Sequence, residues 1–299
     1  MATVVSWNAR EAELEVNVAA QIKRPRPGSA TDNMAKLHRR TMVLDGRVHT
    51  VLSLRPGSDF RFATNHFHDT WHVLSDWRGA RMLARLLWGL AYQRRPGTIV
   101  VIDPAHLDPN PFDAAPSDPI VLVPADLTVF TRAAVVALRR RLPFREGSHG
   151  TVRWQTFGLD AAVDELQRWR AKGPGERDWN FADVPTGWER IDRIGGMVTI
   201  FGARDQLRSW ATSLATLGTY AYYGMDYEYL DEDRNGEVQI FRQYRRKVNI
   251  ARQARAEVLV RFDGHASKQE VQQAIWSHGA SVRRRRFPTR EERPAAPLN

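Results

Sequence analysis

Hydrophobic residues along the chain follow two different spacings, and these predict alternating helices and strands. Between residues 76 and 95, four leucines recur at helical spacing and form one apolar stripe: Leu83, Leu86, Leu87 and Leu90. Two short runs, at 98–102 and 120–123, consist of β-branched and aliphatic residues. Such runs are typical of strands that are covered by helices on both faces.

The same reasoning divides the first 172 residues into a series of elements. We predict a strand at 3–7, a hairpin of 41–44 and 47–54 around an Asp45-Gly46 turn, a helix at 76–95, strands at 98–102 and 120–123, a mostly apolar helix at 124–142, a strand at 151–157 and a helix at 160–172. This alternation indicates an α/β layer with a mixed, at least partly parallel sheet.

After residue 187 the pattern begins again. It predicts strands at 197–201, 219–230, 237–244, 257–262 and 281–287, and helices at 203–217, 247–256 and 267–278. Ser267 and Glu270 have the spacing of a capping box at the start of the last helix. The order of these elements predicts a smaller α+β two-layer sandwich, ferredoxin-like in pattern.

Proline- and glycine-rich stretches predict how the chain is divided. We expect an N-terminal strand and Pro/Arg-rich arm at 1–40, an α/β domain at 41–172, a linker at 173–187, an α+β domain at 188–287 and a flexible tail at 288–299. The segment 231–236 imitates the start of a calcium loop, but Arg242 stands where the bidentate glutamate should be. We therefore interpret this segment as the tip of a hairpin.

Composition excludes several kinds of site. The chain has no cysteine, which excludes disulfides, thiolate zinc sites, iron–sulfur clusters and cysteine nucleophiles. Its first residues include Glu11, Glu13 and Glu15 where a secretory signal needs an apolar run. No stretch reaches the roughly 20 apolar residues that span a bilayer. We therefore expect a cytoplasmic protein that has no membrane partner.

Charge favours a polyanionic partner. The net charge is +10, and 39 of the 44 basic residues are arginine. Arginine binds phosphate through two hydrogen bonds and stacks on flat rings, although GC-rich codons would give the same excess. The densest groups accompany Tyr222, Tyr223, Tyr227 and Phe241. We predict a nucleic-acid-binding protein that contacts phosphates through Arg78, Arg81, Arg85, Arg245, Arg246, Lys247, Arg252, Arg283, Arg284, Arg285 and Arg286.

Histidine and aspartate side chains support an alternative function. His66, His68 and His72 are close in sequence, and two of them share a face on either a helix or a strand, so they are candidate ligands of a divalent metal. Asp103 follows the apolar run at 98–102, where ligands collect in α/β sheets, and His106 lies in the same long loop. The alternative is a metal-dependent hydrolase or nuclease acting on a phosphorylated substrate, with Asp103 and His106 as catalytic residues.

Familiar catalytic motifs do not decide between these functions. The sequence has no phosphate-binding loop, dinucleotide fingerprint or nucleophile elbow. Another arginine group, 139–141 with Arg145, lies at the C-terminal end of a predicted helix, where the helix dipole favours positive charge. A second alternative is a non-catalytic subunit of a homo- or hetero-oligomer, in which the arginines contact acidic partner surfaces. The polyanion is DNA, RNA or an acidic protein in these interpretations.

Overall fold

The structure is a computed structural model, and it describes residues 34–145, 147–177, 185, 187–261 and 266–287. The predicted strand at 3–7, the Pro/Arg-rich arm and the tail from residue 288 lie outside these residues. Within the described part of the chain there are eleven strands and six α-helices. No helix among these residues is both long enough and apolar enough to cross a membrane.

The strands and helices have the following bounds. The strands are β1 (Met34–Leu44), β2 (Arg47–Ser53), β3 (Ala63–Phe67), β4 (Thr70–Ser75), β5 (Thr98–Ile102), β6 (Ile120–Pro124), β7 (Thr151–Gln155), β8 (Glu189–Ile194), β9 (Met197–Gly202), β10 (Met225–Tyr229) and β11 (Gly236–Phe241). The helices are α1 (Trp77–Ala91), α2 (Arg132–Arg139), α3 (Leu159–Ala171), α4 (Arg204–Thr216), α5 (Tyr244–Leu259) and α6 (Lys268–Arg286).

The strands form two mixed sheets. The larger has seven strands in the order β7-β1-β2-β5-β6-β9-β8, with parallel pairs β2–β5 and β6–β9. The smaller has four strands in the order β10-β11-β4-β3, with β11 and β4 parallel. The mixed, partly parallel sheet predicted from the sequence is therefore confirmed.

Alternating side chains of the two sheets define the layers. Val100 and Ile102 of β5 and Val238 of β11 belong to one large core around α1 and α4, which therefore lie between the sheets. Val101 faces the opposite way, into a second core with Val135 of α2. Helix α5 covers part of the outer face of the four-stranded sheet, and α6 packs on α5 through a small core of its own.

The ferredoxin-like sandwich expected after residue 187 is not confirmed. Strands β8 and β9 join the seven-stranded sheet beside β6, and β11 pairs with β4. The sequence pattern identifies strands but carries no information about their partners, and here strands from both halves of the chain complete each sheet. The structure thus has one seven-stranded and one four-stranded sheet.

Two predicted strands near the C-terminus are helical. Residues 257–259 extend α5, because Val248, Ala251, Ala254 and Val258 are buried at helical spacing. Residues 281–286 extend α6, where Ile275 and Val282 face α5 two turns apart. The capping box at Ser267 is confirmed, and the four terminal arginines occupy the last turn, where the helix dipole favours positive charge.

Other boundaries shift for local reasons. The predicted helix at 124–142 is reduced to α2, since Thr131 caps its first turn by accepting the Ala134 N–H at 3.1 Å. The strand predicted at 219–230 begins only at Met225, after a turn in which Tyr220 and Tyr223 have positive φ. Sequence analysis did not identify β8, although the Gly195-Gly196 pair, both at positive φ, makes a tight hairpin turn into β9.

Candidate nucleic-acid interface

A row of three tyrosines lies at the outer face of the four-stranded sheet. Tyr227 and Tyr229 alternate with Glu228 along β10 and share that face. Tyr222, from the turn before β10, contacts Tyr227 with ring centroids 5.3 Å apart and ring planes tilted by 44°, and Tyr227 contacts Tyr229 edge to face at 5.7 Å. Tyr222 is 52% exposed and Tyr229 38%. Solvent can therefore reach both ends of this tyrosine row.

Cationic side chains lie near both ends of the tyrosine row. The Arg234 guanidinium is 5.0 Å from the centre of the Tyr229 ring. At the other end, Lys247 Nζ lies 5.0 Å from the centre of the Phe241 ring. Gln239 of β11 is the register partner of Tyr227, and Phe241 lies two positions further along β11. Phe241 is therefore roughly 7 Å along the strand from the level of Tyr227.

An arginine cluster joins the start of α5 to the end of α6. Arg246 lies over the Phe287 ring, with its guanidinium carbon 3.3 Å from the ring centre, and donates to Gln243 at 3.1 Å. Burial and repulsion from Arg283 lower the pKa of Arg246. Arg283, Arg284 and Arg286 are exposed on the last turn of α6. Within the described residues no ion pair neutralises any of these four arginines, which we call the unpaired cluster.

Three other predicted phosphate contacts form intramolecular ion pairs at the surface, with arginine side chains that are about half exposed. Arg245 donates to Asp59 at 2.5 Å, Arg252 to Asp108 at 3.2 Å and Arg285 to Glu257 at 2.7 Å. The first two fix α5 to the loops that follow β2 and β5. Arg285 fixes the end of α6 to α5.

The pKa values of the three carboxylates in these pairs are shifted in different directions. The hydrogen bond from Arg245 lowers the pKa of Asp59, whereas burial raises the pKa of Asp108 despite the charge of Arg252. Hydrogen bonds from Arg285, His278 and Gln253 lower the pKa of Glu257 to about 2. Glu257 is therefore the acceptor on which the α5–α6 contact converges.

The predicted basic face of α1 is narrower than the sequence indicates, because this helix lies between the two sheets. Arg78 is exposed and sits 3.7 Å from Asp59, while Arg81 and Arg85 are partly buried. Trp88, three positions after Arg85, is 6% exposed and donates its indole N–H to the Phe157 carbonyl at 2.8 Å. Arg78 shares Asp59 with Arg245 of α5, so it belongs with the ion-paired arginines and not with the unpaired cluster.

The three candidate metal ligands do not converge. His66 lies in β3 beside the ring of Trp71, at 4.5 Å between centroids, and His68 occupies the turn into β4. His72 faces the opposite side of the sheet from His66, and its Nε2 lies 3.3 Å from a Glu237 oxygen. Among the described residues no group of three or more His, Asp or Glu side chains is arranged to hold a metal ion.

Asp103 and His106, the predicted catalytic residues, are in direct contact. His106 Nδ1 lies 3.1 Å from Asp103 Oδ1, and His106 Nε2 lies 2.9 Å from Ser58 Oγ. The spacing resembles a nucleophile–base–acid chain, but Nε2 is also 3.2 Å from the Arg55 carbonyl oxygen. Nε2 is therefore shared between the Ser58 hydroxyl and a backbone carbonyl and is not directed at Ser58 alone. His106, 2% exposed, thus acts as a clamp between the 55–58 turn and the end of β5.

Sequence reasoning identified most of the arginines but not their surroundings. It missed Tyr229, Arg234 and Phe287 as parts of the interface. The alternation of Tyr227 and Tyr229 was a usable signal, since both must point to the same face of a strand. Nothing local in the sequence places Phe287 against Arg246, because that contact depends on how α6 returns along α5.

Comparison with known proteins adds no family to this description. We compared the chain with models of protein families, with curated protein sequences and with solved structures, and none of the three gave a significant match.

Proposed function

We propose that the protein binds single-stranded nucleic acid on the outer face of its four-stranded sheet. The bases stack on Tyr222, Tyr227 and Tyr229, and the phosphates contact the unpaired cluster of Arg246, Arg283, Arg284 and Arg286. One observation carries this proposal: the turn that carries Tyr222 is joined to the end of β11, where the Gly224 carbonyl accepts the Arg242 N–H at 2.9 Å, and the crowded arginines, which have no counter-ion among the described residues, begin four positions later at Arg246. This combination suits a single strand, whose bases are free to stack while its backbone follows positive charge.

The Tyr229 end of the tyrosine row limits the path of the nucleic-acid backbone. The hairpin tip carries Asp231, Glu232 and Asp233, and with burial their charges raise the pKa of nearby Glu189 to about 7. This negative potential repels phosphate, except where Arg234 stacks on Tyr229. The proposed path therefore begins at the unpaired cluster and ends at Tyr229.

Charge reversal tests the phosphate contacts. We would measure the fluorescence anisotropy of a labelled polythymidine or polyuridine oligonucleotide with the triple variant R283E/R284E/R286E, which spares the ion-paired Arg285. We expect at least about a hundredfold weaker binding with an unchanged melting temperature. For the wild-type protein, log Kd should change with log salt by a slope of about 3, as four phosphate contacts on a single strand predict.

The matched control reverses three exposed arginines elsewhere, R47E/R94E/R95E, and gives the same net charge. Equal losses of affinity in the two triple variants would show that binding follows net charge alone, and would refute the proposed site.

Substitution of the tyrosines tests stacking separately. Tyr222→Ala and Tyr229→Ala should each weaken binding about tenfold, since a base on an aromatic ring contributes about 1–3 kcal/mol. Tyr92, which is 51% exposed against 52% for Tyr222, provides the control, and Tyr92→Ala should bind like the wild type. If all three variants bind equally, the tyrosine row is not the interface.

A further inference from the structure

A basic groove lies on the opposite side of the molecule, beyond the seven-stranded sheet. It has a volume of about 660 Å³ and runs between β1 and the segment that follows α2. Side chains of β1 at even positions face the α2 side of this sheet, as Leu44 does, whereas the tyrosine row belongs to the far face of the other sheet. The groove is therefore separate from the interface proposed above.

Positive charge dominates the groove. Four guanidinium groups line it, with His149, and the described lining residues include no carboxylate: the arginines are Arg40, Arg140, Arg141 and Arg145. The C-terminus of α2 supplies only about half a negative charge through its dipole. Arg140, Arg141 and Arg145 are exposed and together carry several times that charge, so the dipole alone does not account for them.

Several groups in the groove are held in place before any ligand arrives. Arg40 is 6% exposed, donates to Ser53 Oγ at 3.0 Å and lies 4.2 Å from the centre of the Phe144 ring. Arg141 donates to the Val43 carbonyl at 3.3 Å. These contacts fix one wall, while Arg140 and Arg145 are exposed at the opening. Such preorganisation lowers the entropy that binding must overcome.

His149 contributes a donor of known orientation. Its Nδ1 accepts the backbone N–H of Thr41 at 3.0 Å, so that nitrogen carries no hydrogen. In the neutral ring the hydrogen is then on Nε2, which is a donor. The groove thus combines guanidinium groups with one neutral imidazole donor, and all of these groups suit an acceptor-rich anion.

We propose that this groove binds a compact oligophosphate, either as free polyphosphate or as the phosphate chain of a nucleotide. The volume lies in the range of small-ligand sites, about 300–1,000 Å³, and arginine forks match the oxygens of phosphate. A single phosphate offers too little charge to engage the three exposed arginines together, whereas a linear chain of phosphates contacts several at once.

Isothermal titration calorimetry at low ionic strength tests this proposal with inorganic tripolyphosphate, ATP and inorganic phosphate as probes. Tripolyphosphate should bind the full chain, and R140A/R145A should bind it at least about tenfold more weakly. The control R132A/R139A changes two α2 arginines outside the groove and should stay within about twofold of wild type. Tighter binding of ATP than of tripolyphosphate would identify a nucleotide, and equal binding a phosphate chain.

Three results would overturn the proposal: no tripolyphosphate binding by the wild type, equal binding by R140A/R145A, or displacement of tripolyphosphate by the oligonucleotide. The two proposed sites fail independently. R140A/R145A should retain oligonucleotide binding, and R283E/R284E/R286E should retain tripolyphosphate binding, so each variant reports on one site only.

Discussion

Adjacent arginines on α5 have opposite surroundings. Arg245 and Arg252, seven positions apart on one face, each contact a carboxylate in a neighbouring loop. Arg246 instead lies against Phe287 and within the repulsive field of Arg283. The difference shows that arginine density alone does not identify a binding surface. An arginine that pairs with a carboxylate of the same chain stabilises the fold. We therefore place the proposed external anion at arginines that have no carboxylate partner among the described residues.

The contact between α5 and α6 is where the two groups meet, so breaking it should have the largest effect. Glu257 accepts from Arg285 and His278, and Glu257→Gln removes its charge. We expect faster hydrogen exchange throughout α6 and weaker oligonucleotide binding, since α6 positions the unpaired cluster. Hydrogen-exchange mass spectrometry of 268–286 and the anisotropy assay measure the two effects. Glu165→Gln, an exposed position on α3, should leave both unchanged.

The same contact predicts an acid-sensitive part of the stability. Because the folded pKa of Glu257 is about 2, below its ordinary 4.5, its contribution is present above about pH 4.5 and is lost as the pH falls toward 2. The exchange difference between wild type and Glu257→Gln should therefore shrink over that range. A difference that stays constant down to pH 2 would contradict the assigned role of Glu257.

Single substitutions, one of an ion-paired arginine and one of an arginine in the unpaired cluster, should separate effects on folding from effects on binding. Arg252→Ala leaves Asp108 without its partner and should cost about 1 kcal/mol of unfolding free energy or less, with oligonucleotide affinity within about twofold of wild type. Arg283→Ala should do the reverse, leaving stability unchanged and reducing the salt slope by about 0.7. Urea unfolding and salt titrations of binding measure both. Matching profiles for the two variants would remove the distinction between paired and unpaired arginines.

The acidic end of the tyrosine row gives the smallest expected effect. The pKa of Glu189 is raised to about 7, so its stabilising contribution is present below about pH 4.5 and is lost as the pH rises through 7. Glu189→Gln should therefore melt at a higher temperature than wild type at pH 8 but not at pH 5. Melting curves at both values test this. An equal shift at both pH values would point to packing instead of charge.

The sequence predicted the elements that local patterns determine. The first hairpin has Asp45 and Gly46 at positive φ, as its turn type requires, and α1 follows its leucine stripe. The errors at 257–262 and 281–287 arose because short alternating runs also fit a helix whose buried positions face a neighbouring helix. Only the docking of α6 on α5 decides between the two.

The candidate site was predictable in composition but not in geometry. The tyrosines and arginines were evident from the sequence, yet Asp59, Asp108 and Glu257 determine which arginines are occupied. These partners are distant along the chain or one helix away, and sequence spacing carries no information about such distances. The predicted histidine site fails to converge for a similar reason, because His66 and His72 lie on opposite faces of one sheet.

The two parallel pairings that complete the sheets, β6 with β9 and β4 with β11, also affect folding during synthesis. Strands β6 and β4 leave the ribosome long before β9 and β11, so each presents an open row of backbone N–H and C=O groups during synthesis. Pairing over such sequence separations is slow, and an open edge is a template for another nascent chain. The speed at which the ribosome translates the later half therefore sets how long each newly made molecule is exposed to aggregation.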